Sequence, residues 1–313
     1  MLRYIGSRMI QLVIVLLGVT FLTFFVTTLT PSDAAEMYYY SNGIVPSEEQ
    51  LAQTRHEFGL DRPFIVRYAD WFGGVLRGDF GESLMDSESI MTKYLRKLRN
   101  TLKLTGTTLA VVVSLSLPLG AAAAVFSDRL PDNVLRLITF LGVAMPGFWT
   151  ALLVMYFFGV VLRVLPVIGT GDLKSMAMPV ISLAIPMTCS YTRQVRTAVL
   201  EELSGDYVTG LRSRGVSEAS VIFRHVMPNA MVPIVNMLGL SLGGMLGGST
   251  IVESIYNWKG IGSMVVGSIT NRDYPTIQCY VLWMSIIYVT ANLLVDILHY
   301  LMDPQLRIKE LSR

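Results

Sequence analysis

The sequence predicts an all-α polytopic membrane protein with about six transmembrane helices. Apolar residues make up 52% of the 313 positions, only 15% are charged, and the mean hydropathy is +0.52. Six apolar runs, each of about 20 residues or more, are long enough to cross roughly 30 Å of bilayer hydrocarbon as helices. We place these runs at residues 9–29, 102–126, 134–162, 177–198, 230–252 and 277–302.

Basic residues at the ends of these runs predict the orientation of the chain. If the N-terminus lies in the cytoplasm, the short external loops hold only Arg163, Lys174, Lys259 and Arg272. The cytoplasmic segments then hold Arg3, Arg8, Arg129, Arg136, Arg193, Arg196, Arg212, Arg214, Arg224, Arg307, Lys309 and Arg313. Because basic residues in short loops favour the cytoplasmic side, we expect both termini in the cytoplasm.

Three parts of the chain are predicted. Residues 1–30 form the first transmembrane helix, residues 31–100 an external loop region with short helices, and residues 101–313 a core of five transmembrane helices. In the external region, Ser47 is expected to cap a helix, and residues 63–76 have an amphipathic pattern. This amphipathic helix could lie on the membrane surface, lie under a docked partner, or pack as a small cap over a pore mouth.

Residues 199–229 form the one long polar segment between two apolar runs of the core. We expect a short helix over residues 206–213, followed by Gly215 in the left-handed conformation that glycine tolerates. Ser217 is then in position to cap a second helix, and Pro228 is expected to stop it. The sequence therefore predicts a short helix-turn-helix on the cytoplasmic side.

The second of these helices carries one apolar stripe. Ala219, Ile222, Phe223 and Val226 recur at the i, i+3, i+4 and i+7 positions, which lie on one face of an α-helix. A helix of this kind needs a groove to lie in. From the spacing alone, a broken amphipathic helix without a partner is as good an interpretation.

Polar and proline residues inside the predicted spans mark a candidate translocation path. Pro146, Pro179 and Pro186 are expected to kink their helices and free backbone carbonyls, which suits a pore that changes shape, although prolines are also ordinary in membrane helices. Asn292 and Asp296 fall on one face of the sixth span, where ionisable groups usually face protein or water. Asp296 could line a cation route or make a structural hydrogen bond.

The fifth span carries two rows of small residues. Gly239, Gly243 and Gly247 recur at four-residue spacing, and Gly244 and Gly248 form a parallel row. Such rows let two membrane helices approach closely, so we expect packing within this chain or against a second subunit. A smooth wall for a substrate path is the alternative.

Several kinds of chemistry are missing from the sequence. It contains no GxxxxGK[ST] phosphate loop, no HExxH or GxSxG motif, and no pair of cysteines with metal-binding spacing. We therefore expect no catalytic site, no metal site and no cofactor, and energy for any transport would come from a partner or a gradient. The net charge of +2 gives no indication of a nucleic-acid partner.

The polar segment resembles the cytoplasmic signature loop of bacterial ABC importer permeases. Gly215 and Pro228 have the separation of the glycine and proline in that loop, while residues 209–211 replace its Glu-Ala-Ala. Asp206, Tyr207, Val208, Arg212 and Gly215 instead match the loop of the dipeptide, oligopeptide and nickel branch, which typically reads DYVRTARAKG.

The resemblance extends over nearly the whole chain. GDFGES at residues 78–83, FGLDRP at 58–63 and NRDYP at 271–275 are similar to segments of the external regions of this branch. ESIYNWKGIG at residues 253–262 is similar to another, except that Lys259 stands where the branch usually has proline.

This resemblance implies a type I ABC importer permease fold in the bacterial cytoplasmic membrane. It implies a homologous second permease subunit, two ATP-binding subunits and an extracytoplasmic solute-binding protein as partners, with the helix at residues 217–227 lying in a groove of the ATPase. Residues 129–149 and 271–279 look most similar to nickel permeases, so we expect nickel or a nickel chelate as cargo, with di- or oligopeptides as the alternative.

Two other classes of protein stay open on the residues alone. A gradient-driven carrier would need ion-coupling carboxylates inside the membrane, and Asp296 is the one candidate identified. An intramembrane enzyme would need a nucleophile next to a base, which the sequence does not suggest.

Overall fold

The computed structural model describes residues 2–29, 33–168 and 172–302, and within these ranges the chain forms helices and no strand. The helices are α1 Leu2–Thr28, α2 Ala34–Ser41, α3 Glu48–Glu57, α4 Phe64–Leu76, α5 Ile90–Val125, α6 Leu130–Ala144, α7 Gly147–Val154, α8 Leu173–Leu203, α9 Asp206–Ser213, α10 Glu218–Ser220, α11 Met227–Ile255, α12 Ile261–Thr270 and α13 Tyr274–Met302. Two π-helical segments, Met155–Val161 and Val221–Val226, follow α7 and α10.

The described residues fall into two compact units. The first unit contains residues up to 101 together with 259–290, and the second contains 102–258 together with the residues from 291 onward. The candidate cytoplasmic segment, residues 199–229, belongs to the second unit.

The predicted number of about six spans is confirmed when each bent helix pair is counted as one span. Four helices, in α1, α5, α8 and α13, are long and apolar enough to cross a membrane. Two bent helix pairs raise the total to six if each pair counts as one span. The helix that contains the second predicted span begins earlier than the apolar run, since α5 starts at Ile90 and the run at about residue 102.

The third predicted span is broken rather than merely kinked. α6 ends at Ala144, and the chain bends by 104° before the helix resumes at Gly147. Met145 and Pro146 both have extended backbone, because the proline ring disfavours helical geometry in the residue before it. By contrast, α8 runs unbroken through Pro179 and Pro186.

In the first unit, α4 packs against the outer end of α1 through aromatic rings. Phe24 is 3% exposed, and its ring centroid lies 5.4 Å from that of Phe64, 5.5 Å from Tyr68 and 6.3 Å from Trp71. One face of this amphipathic helix therefore packs against α1 of its own chain. Ile65 on α4 stays 64% exposed. The Ser47 cap of α3 is confirmed, as part of a capping box with Gln50.

A buried carboxylate joins two loops of the first unit. Asp273, 2% exposed, accepts hydrogen bonds from Ser83 Oγ at 2.6 Å, from the backbone N–H of Leu84 at 3.1 Å and from Thr276 Oγ1 at 2.7 Å. Three donors offset the cost of burying the charge. These hydrogen bonds hold segments 78–83 and 271–275 together.

In the second unit, glycines other than the predicted ones set the closest helix contacts. A Cβ on Gly142 of α6 would overlap Cys189 Sγ of α8, and a Cβ on Gly120 of α5 would lie 2.8 Å from the carbonyl oxygen of Thr192. These two positions therefore require glycine for packing.

The predicted small-residue rows of α11 divide between buried and exposed positions. Gly239 and Gly243 are buried, whereas Gly244 and Gly247 are exposed, and no atom lies within 4 Å of a Cβ placed on either exposed glycine. The surroundings of Gly248 lie outside what the structure describes. Gly239 and Gly243 are thus covered by this chain, whereas the described residues leave Gly244 and Gly247 without a contact, and a role of these rows in helix packing stays a prediction.

Replacing Gly142 by alanine should destabilise the second unit. The added methyl group must displace α6 or Cys189, at a cost of about 1–3 kcal/mol in the free energy of unfolding. Thermal unfolding of the detergent-solubilised protein would measure this as a lowered Tm. Gly106→Ala is the matched control, because Gly106 lies in α5 with no atom near its Cβ position, and alanine there should leave Tm unchanged or slightly raised. Equal Tm values for the two variants would contradict the assigned contact.

Candidate functional site

The polar segment folds as the predicted helix-turn-helix. α9 spans Asp206–Ser213, the predicted range, and its first residue, Asp206, lies exposed at the positive end of the helix dipole. Gly215 has a φ of +76°. Its N–H donates to Arg212 O at 3.0 Å, and the N–H of Val216 donates to Leu211 O at 3.2 Å. These hydrogen bonds end α9 in the way that a left-handed glycine typically ends a helix.

The second helix differs from the prediction at both ends. Ser217 is in the N-cap position, but its side chain makes no capping hydrogen bond. Pro228 does not stop the helix, because it lies in the first turn of α11, where a missing N–H costs little. The π-helical turn before it, in which the N–H of Met227 bonds to Ile222 O, changes the position of the carbonyls that the proline ring would otherwise meet.

Three valines fix the helix-turn-helix to the membrane helices. Val208 of α9 and the π-helical residues Val221 and Val226 are all fully buried. They belong to one apolar cluster with residues of α5, α8 and α11. The other buried members of that cluster are Ala124, Val195, Ala198, Val199, Ala230 and Ile234. Motion of the segment would therefore be transmitted directly to α8 and α11.

The π turn divides the predicted apolar stripe between two faces. Val226 faces inward together with Val221, five residues before it, and Ile222 is half-buried. Ala219 is exposed, and Phe223 is 73% exposed. The stripe predicted for an α-helix is thus not one buried surface, and its Ala219–Phe223 half is left open on the outside.

An ion pair braces the turn between the two helices. Arg212 donates from Nε to Glu218 Oε1 at 2.7 Å and from Nη2 to Oε2 at 3.1 Å. The hydrogen bonds of this pair raise the pKa of Arg212 and lower the pKa of Glu218, so both groups are charged at neutral pH. Because both side chains are largely exposed, the pair contributes little to stability and mainly fixes the orientation of the turn.

A second polar contact joins both ends of the segment. The Tyr207 hydroxyl donates to Glu202 Oε2 at 2.7 Å, and Asn229 Nδ2 donates to the same oxygen at 3.3 Å. Partial burial, together with the bond to Glu202, raises the pKa of Tyr207, which keeps the hydroxyl protonated as a donor. The end of α8, the start of α9 and the start of α11 therefore meet at one carboxylate.

One feature next to the segment was missed from the sequence. Asp132, fully buried in the first turn of α6, accepts from Arg196 Nε at 2.7 Å and from Nη2 at 2.8 Å, and from the N–H of Asp128 at 2.9 Å. This ties the turn between α5 and α6 to α8, about one helical turn before the polar segment begins. Nothing in the sequence indicated Arg196 as the partner of Asp132.

The residues predicted for a translocation path are only partly brought together. A cavity of about 350 Å³ in the second unit is lined by Pro186, by Gly147, which follows Pro146, and by Gly244. Asn292 is half-buried, and its Oδ1 atom has no hydrogen-bond partner within the described part of the chain. The side chain of Asp296 lies outside the described residues.

Two family models together match nearly the whole chain. Residues 116–308 match the family described as the binding-protein-dependent transport system inner membrane component, and residues 1–105 match the N-terminal part of such membrane components. The chain is 35% identical over 309 residues to a glutathione transport system permease protein from Salmonella typhimurium strain LT2, and 32% identical to that from Escherichia coli strain K12. Each match covers 99% of this chain and 100% of the relative.

Solved structures share the fold at low sequence identity. The methionine ABC transporter MetNI in an inward-facing conformation matches with a TM-score of 0.61 at 17% identity, over 69% of this chain and 99% of that chain. An amino acid ABC transporter matches with a TM-score of 0.53 at 20% identity, over 69% and 94%. This supports the predicted type I importer permease fold. The chain therefore belongs to the inner membrane components of binding-protein-dependent transport systems, as a permease subunit of a bacterial ABC importer that is not itself an enzyme.

Proposed function

We propose that this permease subunit imports a peptide-like cargo. The observation that carries the proposal is the match to glutathione permeases, which extends over 99% of this chain and the full length of the relatives. Glutathione is a short peptide, so these relatives favour the alternative cargo of the sequence analysis over nickel. No relative reported above is a nickel permease.

The cavity of the second unit is consistent with this choice. Apolar side chains, such as Phe148 and Met245, and the hydroxyl-bearing Ser182 and Ser241 line it, and none of the lining residues that the structure describes is charged. Its serine hydroxyl groups can hydrogen-bond to peptide groups, whereas the described lining contains no carboxylate, imidazole or thiolate, the side chains that bind transition-metal cations most strongly.

We further propose that residues 199–229 form the contact with an ATP-binding subunit. The inward face, Val208, Val221 and Val226, fixes the segment to the membrane helices, and the outward face presents Phe223 and Ala219. In this assembly a second homologous permease and two ATP-binding subunits complete the transporter, and a solute-binding protein delivers cargo from outside. ATP and the loaded binding protein shift the populations of its states by binding one state better than the other.

Deleting the gene for this chain should abolish uptake of labelled glutathione or of labelled di- and oligopeptides. Uptake of radioactive nickel by the same cells should be unchanged, and restoring the chain on a plasmid should restore peptide uptake. Loss of nickel uptake alone would overturn the cargo and keep the machinery. Peptide uptake that persists without ATP would contradict the role of the ATP-binding partner.

Replacing Gly215 by valine should lower ATP-driven uptake in reconstituted vesicles several-fold. No atom lies within 4 Å of a Cβ on Gly215, so the cost is backbone strain at positive φ, about 1–2 kcal/mol for a side-chain-bearing residue. Gly215→Asn is the matched control, since asparagine tolerates this conformation and should keep most of the activity. Both variants should reach the membrane at wild-type levels. Uptake that is equal in the valine and asparagine variants would exclude the turn from coupling.

Replacing Phe223 by alanine should weaken binding of the ATP-binding subunit. A buried aromatic anchor at an interface typically contributes enough that its loss lowers affinity by about tenfold or more. The ratio of ATP-binding subunit to permease after affinity purification would measure this. Leu130→Ala is the matched control, because Leu130 is a large apolar residue that is 76% exposed outside the segment. An unchanged ratio in the Phe223 variant would argue against this contact.

A further inference from the structure

A pocket of about 200 Å³ in the first unit is lined by two arginines but by only one carboxylate, that of Asp70. Its walls are mostly apolar and come from α1, α4, the loop before α4, and the start of α13. Two arginines line it. Arg62 already pairs with Asp70, at 3.3 Å between Nη1 and Oδ2, so this pair adds no net charge. The other is Arg67.

Arg67 lies over an aromatic ring rather than beside a carboxylate. Its guanidinium carbon is 5.6 Å from the centroid of the Phe24 ring, a cation–π contact. Within the described ranges, no carboxylate is within ion-pair distance of it. Burial lowers the pKa of Arg67, and the attraction of the Asp33 carboxylate, which is itself paired with Arg55, only partly offsets this effect. A bound anion would remove this cost.

A buried amide lines the same pocket. Gln278, on α13, is only 4% exposed, and Trp71, which lines the same pocket, has a buried Nε1 atom with no hydrogen-bond partner in the part of the chain that the structure describes. An unpaired buried N–H such as that of Trp71 costs free energy unless a ligand or water satisfies it. Arg67 and Gln278 together offer a charged donor and a neutral donor, which suits an oxyanion such as phosphate.

The depth of the pocket in the membrane indicates where the anion comes from. The apolar window of α1 ends at Thr28, and Phe24 lies four residues before it, which is about 6 Å along a helix. The boundary between hydrocarbon and headgroups lies near this level. Tyr68 and Trp71, which contact Phe24, have the position of an interfacial aromatic belt. At this boundary, the abundant oxyanion is the phosphate of a phospholipid.

We propose that this pocket binds the phosphate of a membrane phospholipid, with Arg67 as the cation and Gln278 as a neutral hydrogen-bond donor. In the predicted orientation the lipid belongs to the outer leaflet. Its acyl chains would follow α1, whose Phe21 and Phe25 are exposed near the pocket. The lipid would complete the packing of α4 on α1, independently of the cargo that the transporter carries.

Native mass spectrometry of the full chain, purified with its partner subunits and stripped of lipid, tests this proposal. Dioleoyl phosphatidylglycerol is the probe, dioleoylglycerol has the same acyl chains without phosphate, and inorganic phosphate is the competitor. We expect the wild type to retain phosphatidylglycerol but not dioleoylglycerol, and millimolar phosphate not to displace it. Displacement by inorganic phosphate would show a site for a free anion and would overturn the lipid as occupant.

Variants separate this site from general lipid binding. Arg67→Gln should lower the affinity for phosphatidylglycerol about tenfold, because a charge-assisted bond is lost. Arg77→Gln, which removes the same charge from the exposed end of α4, should have no effect. Gln278→Glu introduces a carboxylate into the pocket that competes with phosphate for Arg67, and it should lower retention even if the Arg67 variant fails to fold. Wild-type retention in either pocket variant would overturn the proposal.

Discussion

The π-helical turn at Val221–Val226 is the feature on which the candidate coupling site depends. In an ordinary α-helix, Ala219, Ile222, Phe223 and Val226 would share one face, and burying Val226 would bury Phe223 as well. The wide turn instead puts Val221 and Val226 inward and leaves Phe223 on the outside. One short segment thereby both packs against α8 and α11 and keeps an aromatic side chain available to a partner. It also lets the chain enter α11 through Pro228 without a break.

Polar contacts around this turn keep the segment in a fixed position. The Arg212–Glu218 pair sets the angle between the two short helices, and Glu202 joins the ends of the segment through Tyr207 and Asn229. The buried pair of Asp132 with Arg196 fixes the neighbouring turn to α8. Removing one member of such a buried pair would leave an uncompensated charge, so we regard it as part of the framework that holds the segment. Force applied at Phe223 would then reach the membrane helices without being absorbed by a loop.

Features that depend on local rules could be predicted from the sequence. The number of spans follows from apolar length, α9 from its flanking breaks, and the ends of α3 and α9 from Ser47 and Gly215. Features that depend on distant partners could not. The π turn leaves no mark in the 3.6-residue period, the Asp132–Arg196 pair joins residues 64 positions apart, and the closeness of Gly142 to Cys189 depends on how α6 meets α8. The break at Pro146 was expected as a kink, because sequence locates a proline but not the size of the bend.

The most direct test is a photo-crosslinking amino acid placed at position 223 of the full chain in its native membrane. If Phe223 is the anchor of the coupling segment, illumination should attach the ATP-binding subunit to this chain, and mass spectrometry should identify it. The same amino acid at position 130, which is equally exposed outside the segment, should not capture that subunit. Crosslinks from position 223 to lipid alone, or equal capture from both positions, would contradict the account.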